Sequence, residues 1–130
     1  MIHTLLLAVL LPMAYANEHP AEEAEAKLEA AEKNFTTAKK RLDVAILAIS
    51  HAPKKKEAAD ALQKLEKGWD QVIENLVSIR IAASPAPDTS TSSSLIPYYT
   101  TAEILDMKTK AYTDLAEWIE TNWIELERKE

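Results

Sequence analysis

The stretch LQKLEKGWDQVIENLV, residues 62–77, decides the fold because it carries the most regular apolar stripe in the chain. Large apolar side chains alternate there at spacings of three and four, which is the period of one face of an α-helix. The alternation continues on both sides to give the set Ala58, Leu62, Leu65, Trp69, Val72, Leu76, Ile79 and Ala83. It predicts a helix over about residues 53–83. Ile73 and Val77 widen the stripe, so this helix is expected to contact more than one neighbour.

The same spacing predicts one helix before this segment and one after it. The first covers about residues 21–51 and stops where Ala52-Pro53 interrupts the pattern, because proline is tolerated only in the first turn of a helix. The third covers about residues 100–127, since Thr100 and Glu103 have the spacing of a capping box. Residues 84–99 are then expected to form an irregular loop.

These three segments predict an all-α protein, an antiparallel three-helix bundle of long helices with one irregular loop between helices 2 and 3. Phe35, Trp69 and Leu115 are predicted to be structural residues that fill the core. A sustained heptad repeat also fits a coiled-coil dimer, which stays open as the structural alternative.

Composition narrows the class of protein. The chain has 130 residues, enough for one domain, and it contains a single glycine and no cysteine. Disulfides, cysteine nucleophiles and thiolate metal sites are therefore excluded.

The N-terminal residues 1–16 have the layout of a secretory signal peptide. LLLAVLLPMA, residues 5–14, is a short apolar run, and Ala14-Tyr15-Ala16 is a small-x-small cleavage pattern. The run is too short for a membrane span, so no stable span is expected after cleavage. We therefore expect a single helical domain over residues 17–130, located in the periplasm or outside the cell. A membrane anchor or a buried helix is the alternative reading of the run.

The formal net charge of −6 bears on the partner. An acidic protein is a poor binder of nucleic acid and suits a cationic protein partner. Plain solubility is the competing explanation of the charge.

Residues that could carry catalysis are few. Asp114, Glu117 and Glu120 form a carboxylate ladder on helix 3, which most simply reads as a solvated face. His19 with Glu22 and Glu23 is a weak candidate for metal binding, and the serines at 90–94 have no nucleophile elbow around them. We therefore predict no enzyme activity, no cofactor and no metal site, with a metal-dependent enzyme kept as a third hypothesis.

The segment SSSLIPYYT, residues 92–100, ends in side chains that a spacer does not need. Leu95 and Ile96 are read as anchors to the end of the bundle or as partner contacts. Tyr98 and Tyr99 are predicted, together with them, to contact a partner.

Two stretches resemble the N-terminal domain of the LprI family, exported proteins that include a lysozyme inhibitor. LQKLEKGWDQVIENLV supplies the family's glutamine and tryptophan as Gln63 and Trp69. SLIPYYTTAEILDMKTKAYTDL, residues 94–115, follows the family's loop and last helix from Ser94 through Pro97. The family's two cysteine positions fall at about Val77 and Glu103, so its disulfide is missing here.

The resemblance implies an exported helical domain without catalysis that binds lysozyme. The leading functional hypothesis is accordingly a non-catalytic exported protein similar to LprI-type lysozyme inhibitors, which binds lysozyme or another cationic protein through its charge and the 95–99 segment. The alternative is a structural or adaptor module that self-associates through its heptad stripes. The expected state in solution is a monomer or a weak homo-oligomer.

Overall fold

The computed structural model describes residues 20–85 and 91–124. The described residues form three α-helices and a closing π-helical turn, and they contain no strand: α1, Pro20–Leu47; α2, Ala52–Ala83; α3, Thr91–Ile119; and the π-helical turn Glu120–Ile124. The prediction of an all-α helical bundle is confirmed. The predicted signal segment 1–16, His19, residues 86–90 of the predicted loop and residues 125–127 of the predicted third helix lie outside the described residues.

The closest packing in the bundle is between α1 and α3, and small side chains make it possible. Four alanines repeat every seven residues along α1, and two more lie on α3. All of them are at most 5% exposed: Ala24, Ala31, Ala38, Ala45, Ala102 and Ala116. Without bulky side chains between them, the two helices can approach closely.

The main core lies between the C-terminal halves of α1 and α3. Leu42 of α1 and Tyr112 of α3 are fully buried, and Leu62 is the residue that α2 buries most completely. The Phe35 ring meets the Tyr112 ring edge-on, with 5.0 Å between centroids and 62° between planes. Phe35 and Trp69, both predicted to be structural, are partly buried and pack against this core.

The order of contacts gives the direction of each helix. From α1 to α3, residue 27 reaches 99, residue 35 reaches 112 and residue 41 reaches 120, so both numbers rise together. From α2 to α3, Arg80 meets Glu103, whereas Ala58 lines a pocket with Trp118, so the numbers run in opposite senses. In this arrangement α1 and α3 share a direction and α2 runs against both.

The start of α3 differs from the sequence prediction. The helix begins at Thr91, so Leu95 to Tyr99 are helical and Pro97 lies inside the helix. Proline cannot donate to the carbonyl four residues earlier and costs about 3 kcal/mol in a helix interior. Burial offsets that cost here, because Ser93 and Thr100 are buried and the residues between 95 and 99 are each half-buried. The sequence prediction of a loop over 84–99 was wrong over residues 91–99 for this reason.

Candidate functional site

The four residues predicted to contact a partner lie together on α3 instead of in a loop. Leu95, Ile96, Tyr98 and Tyr99 are all half-buried. The Lys27 ammonium of α1 lies 5.9 Å from the centre of the Tyr99 ring, at the outer limit of a cation–π contact. The prediction that these four residues lie in an irregular loop is therefore wrong: they form part of α3, and Tyr99 lies against α1.

The predicted capping box has a different role. Thr100 and Glu103 lie three residues apart inside α3, a spacing that also puts two side chains on one helical face. Arg80 of α2 donates to both, at 3.1 Å to Thr100 Oγ1 and 2.8 Å to Glu103 Oε2. The hydrogen bond from Arg80 lowers the pKa of Glu103. This contact fastens the end of α2 to the first half of α3.

The predicted carboxylate ladder spans the end of α3 and the first residue of the π-helical turn, and cations neutralise it. Arg41 of α1 donates to Glu120 at 2.7 Å and to Glu117 at 3.5 Å, and Lys110 donates to Asp114 at 2.7 Å. The hydrogen bond from Arg41 lowers the pKa of Glu120, the opposite of what a general acid needs. The ladder thus ties α1 to α3 and balances charge on the surface.

A polar layer crosses the middle of the core, which the apolar pattern did not predict. Lys108 is 5% exposed, and its ammonium lies 4.2 Å above the centre of the Phe35 ring. Burial lowers the pKa of Lys108, against the opposing pull of Asp70 and Glu66. Beside it, burial raises the pKa of Tyr112 to about 12. Among the described residues, neither the Tyr112 hydroxyl nor Trp69 Nε1 has a hydrogen-bond partner.

Half of the α2 stripe faces outward. Leu65, Val72 and Ile79, seven residues apart, are 42%, 45% and 63% exposed. The other half of the stripe, which includes Leu62 and Trp69, packs against the core. Within the described chain, the two neighbouring helices cover only part of so wide an apolar surface, so this side of the stripe stays exposed.

The neighbouring helix α3 has three exposed apolar side chains of its own. Met107, Leu115 and Trp118 lie on α3 and are between 38% and 54% exposed. Arg80 pairs with Glu103 at one end and Ala58 lines a pocket with Trp118 at the other, so Leu65 and Val72 lie along the same part of the bundle as residues 103–118 of α3. We call this surface the α2–α3 face and define it as Leu65, Val72, Ile79, Met107, Leu115 and Trp118. Leu115, predicted to fill the core, belongs to it.

Gly68 lies between Leu65 and Val72 on the outer side of α2. A glycine inside a helix costs about 1 kcal/mol relative to alanine. Apart from the adjacent turns of α2 itself, no atom of the described chain lies within 4 Å of where a Cβ would stand, so packing within the described chain does not require the glycine. Asn75 follows seven residues later in the same column, so small or polar residues alternate with the exposed Leu65, Val72 and Ile79 along this edge.

The described residues set limits on other kinds of site. They contain no group of three or more His, Asp or Glu side chains arranged to hold a metal ion. Among the helices that they form, none is long and apolar enough to cross a membrane.

Comparisons with known proteins identify no relative of the chain. No protein-family model, no curated protein and no solved structure matches the chain. Its function must therefore be argued from its own surfaces.

Proposed function

We propose that the chain is a non-catalytic helical module that self-associates through the α2–α3 face. The observation that carries the proposal is the six large apolar side chains exposed together on two adjacent helices. Contiguous exposed apolar surface of this kind marks an interaction site, whereas scattered exposed apolar residues need no explanation.

The sequence of the outer column of α2 favours a helix as the occupant. Leu65, Val72 and Ile79 repeat every seven residues, with Gly68 and Asn75 between them, which is the spacing of a coiled-coil seam. A polar residue such as Asn75 in a seam helps to select register and oligomeric state. Gly68 gives the incoming helix room to approach closely.

The charges beside the face favour a second copy of the same chain. Lys64 and Asp114 are both exposed, and each directly precedes a residue of the face, Leu65 on α2 and Leu115 on α3. A two-fold axis parallel to the helices would set α2 of one copy against α3 of the other, and Lys64 would then meet the partner's Asp114. Both pairs form at once in such an isologous interface.

The proposal is tested by sedimentation velocity of the purified protein over a wide concentration range. We expect a concentration-dependent dimer for the wild type and a monomer for Val72→Glu. The matched control is Val44→Glu, since Val44 is 58% exposed on α1 and lies off the face. The control should dimerise like the wild type. A wild type that stays monomeric, or a control that loses the dimer equally, would reject the proposal.

A second candidate is binding of a cationic protein such as lysozyme, together with export of the chain. Its support is the net charge of −6 and an acidic surface beside the 95–99 segment. Five glutamates in the first half of α1 are exposed, and Lys27 among them contacts Tyr99: Glu22, Glu23, Glu25, Glu29 and Glu32. Charge complementarity of this kind mainly speeds association.

Lysozyme binding is tested by the lysis of cell-wall substrate. A panel of lysozymes is assayed with and without excess purified protein, and the expected result is slower lysis by at least one cationic member. Unchanged rates across the panel would remove this candidate. Export is tested separately by the N-terminal sequence of the protein recovered from its producing cells, which should begin at Asn17.

A further inference from the structure

The end of the bundle where α1 stops and α2 begins encloses a pocket of about 440 Å³. Six of its lining residues are apolar and two are basic or titratable: Ile46, Ile49, Ala58, Leu115, Trp118, Ile119, His51 and Lys54. The volume lies within the range of small-molecule sites, which are mostly apolar with a few polar groups that orient the ligand.

The walls of the pocket suit an apolar ligand body. Ile46 and Ile119 are buried core residues and form its inner wall, whereas Trp118 is half exposed and forms an outer wall. A flat indole and branched aliphatic side chains offer dispersion contacts to an alkyl chain or an aromatic ring.

The polar groups at the pocket are all suited to an anion. Lys54 and His51 stand at the N-terminus of α2, where the helix dipole favours negative charge. His51 is the N-cap residue, and its side chain makes no capping hydrogen bond to the first turn. Lys54 has only a loose contact of 3.7 Å with Glu57, and both side chains are about 70% exposed. None of the described residues that line the pocket is acidic, although the chain has a net charge of −6.

We propose that this pocket binds a small amphiphilic anion, a molecule with an alkyl or aromatic body and a carboxylate head. The body lies between Trp118 and the inner wall, and the carboxylate lies at Lys54 and the first turn of α2. The proposal does not depend on self-association, although the pocket shares Leu115 and Trp118 with the α2–α3 face. The affinity comparisons therefore use variants at Ala58 and Lys54, which lie outside that face, and Trp118→Phe serves only to assign the fluorescence change.

The test is a titration of the purified protein with decanoate below its micelle concentration, followed by tryptophan fluorescence and by calorimetry. We expect saturable binding whose fluorescence change disappears in Trp118→Phe. Lys54→Glu should weaken binding at least tenfold, whereas the matched control Lys56→Glu should not, because Lys56 is 79% exposed and lies outside the pocket lining. Decyl maltoside, which has the same chain and no charge, should bind at least tenfold more weakly than decanoate.

Two further experiments distinguish binding inside the pocket from binding elsewhere on the protein and from binding of the protein to a membrane surface. Ala58→Phe fills the pocket and should abolish binding, with circular dichroism confirming that the variant is folded. Vesicles of phosphatidylglycerol present the anionic head with the chains held in a bilayer. Binding to vesicles without binding of decanoate would overturn the proposal, and so would equal affinity for decanoate in the wild type and Lys54→Glu.

Discussion

Lys108 and Tyr112 show how much polar character the interior of this small bundle holds. A buried ammonium is costly unless it is paired, and here the nearest compensation is the Phe35 ring with the more distant Glu66 and Asp70. A buried hydroxyl without a partner also costs stability. Both residues lie on the core side of α3. Replacing each of them should therefore show how the buried polar layer changes the free energy of unfolding.

Lys108→Met keeps the length of the side chain and removes the buried charge. We expect the free energy of unfolding to rise by on the order of 1 kcal/mol, because the lost cation–π contact is worth less than the relief from desolvation. Urea denaturation measures the change. Lys110→Met is the matched control, since Lys110 is an exposed neighbour on the same helix, and should change stability by less than about 0.5 kcal/mol. A loss of stability in Lys108→Met would show instead that Glu66 and Asp70 hold the ammonium firmly.

Tyr112→Phe should alter the dependence of stability on alkaline pH. The pKa of Tyr112 is raised from 10.0 in the unfolded chain to about 12 in the fold, so the folded state holds its proton more tightly. The wild type should therefore keep this contribution below pH 10 and lose on the order of 2–3 kcal/mol as the pH rises to about 12. Tyr112→Phe should not show that loss.

The measurement is urea denaturation of both proteins at several pH values from about 8 to 12. Lys108 and the other titrating groups contribute to both curves and cancel in their difference, which isolates Tyr112. Stability curves that stay parallel over this range would contradict the assignment.

The buried polar position at Lys108 could have been identified from the sequence. Lys108 is three residues after Leu105 and four before Tyr112, so it occupies a position in the apolar stripe of the third helix. Arg41 and Arg80 have no such signal, because an ion pair between helices depends on how the helices are placed and not on the spacing within either one.

At the scale of the helices, the first two could be predicted closely and the start of the third could not. Apolar spacing and the Ala52-Pro53 break locate α1 and α2 to within a few residues at each end. In the third segment, serines, threonines and Pro97 all argue against helix locally. Contacts with α1 and α2 outweigh that local preference, and such contacts are not visible in the sequence.

Pro97→Ala tests this reading of α3. Alanine can donate to the carbonyl of Ser93 and has the higher helix propensity, so we expect the free energy of unfolding to rise by on the order of 1 kcal/mol. Helix content by circular dichroism should be unchanged, since the segment is helical already. A destabilised variant would mean that the segment needs the proline ring to keep its place.

Gly68→Ala separates the stability of one copy from the association of two. No atom of the described chain obstructs an alanine side chain, so the unfolding free energy of the monomer should rise by about 0.5–1 kcal/mol. The same methyl group would stand in the path of a closely approaching helix and should weaken dimerisation. Thermal unfolding at low concentration and light scattering at high concentration measure the two effects. Stabilisation with unchanged dimerisation would place Gly68 outside any interface.

In the molecule as a whole, the three helices contribute unequally to the core. The alanine-lined pair of α1 and α3 supplies most of the core, and α2 gives one side of its stripe to that core and exposes the other. The sequence pattern predicted which residues of α2 share an apolar surface. It could not tell how much of that surface the chain itself covers, and the uncovered part is the candidate site.

In the proposed dimer, two copies associate through the α2–α3 face with Lys64 opposite the partner's Asp114. Sedimentation equilibrium of the wild type, Lys64→Glu, Asp114→Lys and the double variant tests this pairing. Each single variant sets like charges against each other and should dimerise at least several-fold more weakly than the wild type, and the double variant should recover most of the loss. A wild type that is monomeric at every concentration, or a double variant that associates no better than either single variant, would contradict the claim.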